Sequence, residues 1–103
     1  MKYIEGGDLL TIRTALRIEF NDKRLTGADL HKAEEAVHKQ VPGLWEPYEE
    51  KAFARGFETD VEKWTHDYFG DQVVYLKTNF SKKRWDHLVK VRDYLIKHDK
   101  FWT

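Results

Sequence analysis

Along LLTIRTALRIEF, residues 9–20, apolar side chains favour every second position. Leu10, Ile12, Leu16, Ile18 and Phe20 share one parity with Thr14, while Thr11, Arg13, Ala15, Arg17, Glu19 and Asn21 fill the other. Alternation of this length marks a strand with one buried face, because successive side chains leave a pleated backbone on opposite sides. A helix built on Leu9, Ile12, Leu16 and Phe20 competes with it, but that helix leaves Ile18 on the wrong side. The pattern predicts a strand over 10–20, with Gly6, Gly7 and Asp8 as a turn folding residues 2–5 back as a short partner. A second run, VVYLKTNF at 73–80, is β-branched and aromatic and alternates through Val74, Leu76, Thr78 and Phe80, which predicts a second strand.

Between and after these runs the period changes to that of a helix. Leu30, Ala33, Val37 and Val41 follow a start at Thr26, whose hydroxyl can accept from an unpaired backbone N–H, and Pro42-Gly43 stops the run. A short helix is predicted from Glu46-Pro47 to Gly56. Thr59 and Glu62 have capping-box spacing and open a helix carrying Val61, Trp64 and Tyr68 that ends at Gly70. Ser81 caps a long final helix with Trp85, Leu88, Val89, Arg92, Leu95 and Ile96 on its buried side. Lys83, Asp86, Lys90, Asp93 and Lys97 line the opposite face, with Asp86 to Lys90 and Asp93 to Lys97 as i,i+4 ion pairs.

These elements predict an α+β fold: a small single-domain, two-layer sandwich over residues 1–103, with helices on one face of an antiparallel or mixed sheet. The alternative is an all-α bundle, which follows if residues 10–20 and 73–80 are helical. No linker, low-complexity tract or internal repeat divides the chain. At 103 residues, 41% of them hydrophobic and 15% aromatic, it can bury a core without staples. There is no cysteine, which excludes disulfides, thiolate metal sites and cysteine nucleophiles. MKYIEGGDLL lacks the apolar run of a signal peptide and no span has the 18 apolar residues of a membrane helix, so a soluble, cytoplasmic protein is expected.

Formal net charge is zero, but its layout is uneven. Residues 46–71 hold three basic and eight acidic side chains, a net of −5, and residues 77–103 hold eight basic and three acidic, a net of +5. Packed side by side, the two segments would neutralise each other; held apart, each would offer a surface to a charged partner.

Candidate chemistry is sparse. His31, Glu34, Glu35 and His38 lie on the polar side of the first long helix, yet the two histidines stand about 10.5 Å apart at 1.5 Å per residue. That is too far for one ion and unlike HExxH, so the four read as a solvated face and no metal or cofactor is expected. His66 and Asp67, beside Trp64 and Tyr68, point about 100° apart on a helix and form no catalytic pair by themselves. Lys82, Lys83, Arg84, Lys90 and Lys97, with Arg92, Lys100, Trp85, Phe101 and Trp102, interleave cations and rings as nucleic-acid surfaces do. The acidic, aromatic stretch with Glu46, Tyr48, Glu49, Glu50, Phe53 and Glu58, near Trp45 and Phe57, offers the material of interface hot spots.

The reading is a small protein-interaction module of the inhibitor, immunity or adaptor kind that binds a protein through the acidic stretch. Nucleic-acid binding by the C-terminal helix is the alternative, and an enzyme with a histidine–carboxylate site ranks third. Self-association through a free sheet edge is a further mode that the two strands would permit.

Overall fold

The computed structural model describes residues 9–101, and among these there is no sheet. Four α-helices carry the fold: α1, Leu9–Ile18; α2, Gly27–Gln40; α3, His66–Thr78; and α4, Lys82–Lys97. One-turn 3-10 helices follow α1 at Glu19–Asn21 and precede α3 at Val61–Lys63. The α+β sandwich is therefore overturned, and the all-α alternative is the architecture found. With no sheet among the described residues, docking through a free sheet edge has no basis there. The turn at Gly6–Asp8 and the partner strand at 2–5 lie outside the described residues.

Both misread runs fail for the same reason. In α1 the buried side chains are Ile12 and Leu16, extended by Phe20, a strict i, i+4, i+8 stripe. Leu10 and Ile18, which completed the alternation, are 67% and 58% exposed. Their apolarity imitates a period of two without any sheet to bury it. In α3, Phe69, Gln72, Val73 and Leu76 are buried at helical spacing and Phe80 follows, while Val74 points out. That helix starts later than its sequence suggests: the Thr65 hydroxyl accepts from Tyr68 N–H, and Asp60 accepts from Glu62 N–H to cap the 3-10 turn where Thr59 was expected to act. Gly70 does not end it, because it lies at an open, exposed position that the helix simply passes through. The short helix expected from Glu46 to Gly56 is absent; residues 41–60 form no regular element beyond an isolated Lys51–Ala54 bridge.

The other two helices start where the sequence places them. Thr26 and Asp29 form a reciprocal capping box on α2, and Ser81 accepts from Arg84 N–H at the start of α4. Three residues connect α3 to α4, a link short enough to fold one helix back along the other. α4 is the central helix, burying Arg84, Trp85, Leu88, Val89, Val91, Arg92 and Leu95, while Ile96 turns outward against expectation. Its Trp85 meets Phe20 edge-on at 4.5 Å and Trp45 at 5.9 Å, and Trp45 stacks on Phe80 at 5.2 Å. Phe101 packs back on Phe69 at 5.0 Å and is buried; Trp102 lies outside the described residues.

Candidate functional site

Twenty residues without a regular element, 41–60, should leave many backbone groups unpaired. Two arginines and one asparagine satisfy many of them. From α1, Arg13 donates to the carbonyls of Leu44 and Gly43 at 2.9 and 3.1 Å. Asn79, between α3 and α4, accepts from Glu49 N–H and donates to Pro47 O. Glu46 and Phe80 exchange two bonds of 2.8 Å, one backbone to backbone and one from Phe80 N–H to the Glu46 carboxylate. From α4, the buried Arg84 donates through Nε to Asn79 Oδ1 at 3.0 Å, through Nη1 to Arg55 O at 2.6 Å, and through Nη2 to the carbonyls of Glu49 and Ala54. Arg92 performs the same task for the turn after α1, donating to Phe20 O and Asp22 O.

What Arg84 fixes is a tight turn. Lys51 and Ala54 exchange backbone bonds of 3.0 and 2.9 Å, so Ala52 and Phe53 stand at its tip, and Phe53 is 72% exposed. Behind the tip, two cations approach the Tyr48 ring, with Arg84 at 4.7 Å from its centre and Lys83 Nζ at 4.4 Å. The Tyr48 hydroxyl donates to Glu50, whose carboxylate lies across Gly56, where a side chain would collide with it.

The turn runs on into an aromatic cluster. Phe57 stacks on His87 at 4.1 Å, and Trp64 meets His87 and Tyr94 edge-on at 5.3 and 5.7 Å. Trp64 Nε1 donates to Glu58 O, and Glu58 N–H donates to the Tyr68 hydroxyl. Burial, assisted by the nearby Lys90 and Arg84 charges, pushes His87 down to about 4, so the neutral ring accepts the Tyr68 proton at Nε2 across 2.8 Å. Burial raises the Tyr68 hydroxyl in turn.

The structure sorts the candidates accordingly. Of the acidic and aromatic set, Glu49, Glu50 and Phe53 are exposed on the turn, Tyr48 is half-buried behind it, Glu46 is turned inward to Phe80, and Glu58 sits beside the aromatic cluster with Lys63 at 3.9 Å. Of the five basic candidates, Arg84 is buried and the other four are exposed on α4: Lys82 bonds Glu34 at 2.7 Å and Asp86 at 2.9 Å, Lys83 covers Tyr48, and Lys90 and Lys97 complete the set. Asp86 thus turns back to Lys82 instead of forward to Lys90. Glu34, expected on a solvated face, is buried under Lys82, with His31 at 3.9 Å, while Glu35 and His38 are exposed. No group of three potential metal ligands forms among the described residues. His66 donates to Phe101 O at 2.5 Å while Asp67 stays exposed. An open depression lined by Asn21, Asp22, Lys23 and Arg24 holds an Arg24–Asp22 ion pair of 2.9 Å that pulls Asp22 down to about 2.

Sequence reasoning missed His87 and gave Arg84 a different role, as one of the exposed cations of a nucleic-acid surface, whereas it is buried on backbone carbonyls. The signal for Arg84 was its helical register, since 84, 88, 91 and 95 share a face with the core. No protein-family model matches the chain, and neither does a curated protein or a solved structure. No described helix is long and apolar enough to cross a membrane.

Proposed function

We propose that the chain is a small cytoplasmic protein-interaction module of the inhibitor, immunity or adaptor kind, docking through residues 48–55 with Phe53 as its anchor. One observation carries this reading: a buried guanidinium immobilises the turn while the aromatic residue at its tip stays 72% exposed. An exposed phenylalanine alone is ordinary, since much of any protein surface is apolar. Long irregular segments, however, are uncommon in compact domains and are usually either disordered or functional. This one is tied down at both ends and in its middle. A rigid turn loses little conformational entropy on binding, so the cost of ordering it does not offset the burial of its aromatic tip.

The test is affinity capture from native extract with nuclease present, comparing the unmodified chain with Phe53→Ala. Because Phe53 is mostly in water, the variant keeps its circular dichroism spectrum. The expected result is a protein retained by the unmodified chain and recovered at least about tenfold less with the variant. Equal recovery overturns the reading. Material that is held only without nuclease transfers the assignment to nucleic acid and to Lys90 and Lys97.

A further inference from the structure

Independently of the docking turn, residues 57–63 form a stretch that is half-buried at Phe57 and Glu58 and exposed from Thr59 to Lys63. Most of its polar contacts close on itself: Asp60 caps Glu62 N–H, Lys63 N–H bonds Asp60 O, and Lys63 Nζ lies 3.9 Å from the Glu58 carboxylate. Apart from the backbone bond from Trp64 to Val61, the hydrogen bonds that leave it, among the described residues, are both at Glu58. Its N–H donates to the Tyr68 hydroxyl at 2.9 Å, and its carbonyl accepts from Trp64 Nε1 at 2.8 Å. Phe57 adds the ring stacked on His87 at 4.1 Å. His87 joins these attachments, because its Nε2 also takes the Tyr68 proton and its ring meets Trp64 edge-on.

A proton on Nε2 reverses the bond at the centre of this knot. The Tyr68 oxygen already receives Glu58 N–H, so a second donor leaves the phenol proton without its present acceptor. The added charge also lands among cations. Lys90 and Arg84 act on His87 from its own helix, and the Phe57 ring already has Lys83 and Arg84 at 5.9 and 5.7 Å from its centre. Facing it from the other elements are the neutral Trp64 and Tyr68 and, through Tyr68, Glu58, whose carboxylate is taken by Lys63 and by Asp60 N–H. We propose that His87 is a proton-operated latch: protonating its ring releases residues 57–63 from α3 and α4 while the helices, and the turn held by Arg84, stay folded. The direction is fixed by linkage. The closed form holds the ring at about 4 against the ordinary 6.5, so the released form takes the proton first and gains as pH falls below about 6.5.

The experiment is hydrogen exchange of the full chain followed by nuclear magnetic resonance, with each rate expressed as protection relative to an unstructured chain at the same pH. Protection of Glu58 N–H and of the Trp64 indole N–H is expected to fall at least about tenfold between about pH 7 and about pH 5. At both pH values it should stay below that of the α2 amides and ignore low urea concentrations that speed α2 exchange through global unfolding. In His87→Gln, which still accepts from Tyr68 and takes no proton, Glu58 protection should hold within about twofold across the same range. Tyr68→Phe removes the shared hydroxyl and should lower Glu58 protection at least about tenfold already at about pH 7. The latch is overturned by Glu58 protection that is equal at the two pH values, that matches α2 in level and urea response, that still falls in His87→Gln, or that is undiminished in Tyr68→Phe.

Discussion

Arg84 is a full charge removed from water, and what compensates it is geometry: a planar fork with donors aimed at three carbonyls and an amide oxygen. Arg92 does less well, since its Nη1 is buried without a partner. Replacing Arg84 by methionine keeps most of the volume but leaves the carbonyls of Glu49, Ala54 and Arg55 short of a donor. Urea denaturation is expected to show a loss of about 3 kcal/mol or more, and the amides of Lys51 and Ala54 should exchange with solvent ahead of the helices. A loss below about 1 kcal/mol would mean that the turn holds itself. His87 makes a pH-dependent contribution with a definite sign. Its folded pKa of about 4 lies below the ordinary 6.5, so the unfolded chain takes up the proton first. The stability tied to the neutral ring is complete above about pH 6.5 and is lost progressively as pH falls toward 4. Allowing for its partly wet position, the loss is about 1–2 kcal/mol. His87→Gln, which can still accept from Tyr68, removes that slope; parallel stability curves for the two chains would refute the assignment.

At the scale of elements, what was legible in the sequence was local. Thr26 and Ser81 mark the starts of α2 and α4 because a cap needs only residues within one turn. The strands were misread because Leu10, Ile18 and Val74 are apolar and exposed, and no sequence pattern separates an outward apolar residue from a buried one when both fit an alternation. Thr59 and Glu62 satisfy the capping-box spacing, yet Thr65 wins, since starting there puts Phe69, Val73 and Leu76 on one face toward α4. The irregular segment was the least legible. Its conformation is set by donors from Arg13, Asn79 and Arg84, whose partners lie about 30 residues away along the chain. The exposed part of the candidate site, Glu49, Glu50 and Phe53, could be named from composition, whereas the Arg84 that positions it looked like one more cation in a basic run.

For the whole molecule, the decisive feature is that one apolar cluster takes residues from every helix and from the segments between them, from Ile12 to Phe101. The aromatic members link α4, the 3-10 turn after α1, α3 and the chain after α4 in a series: Trp85 to Phe20, Phe20 to Phe69 at 6.3 Å, and Phe69 to Phe101. Phe101 has two further contacts, the His66 imidazole on its carbonyl and the buried Arg92 guanidinium 5.4 Å from its ring centre. Residues near a chain end commonly fray without consequence, but here the ring fills space at the first turn of α3. Phe101→Ala therefore opens a cavity in the shared core, at an expected cost of about 3 kcal/mol. Because that core is continuous, the loss belongs to the global transition and not to local release of the tail. Unfolding followed by tryptophan fluorescence and by far-ultraviolet circular dichroism should shift together, with the two curves coincident in both chains. A variant that unfolds at the original denaturant midpoint, or whose two curves separate, would show that the segment after α4 is an appendage and that the four helices close their core without it.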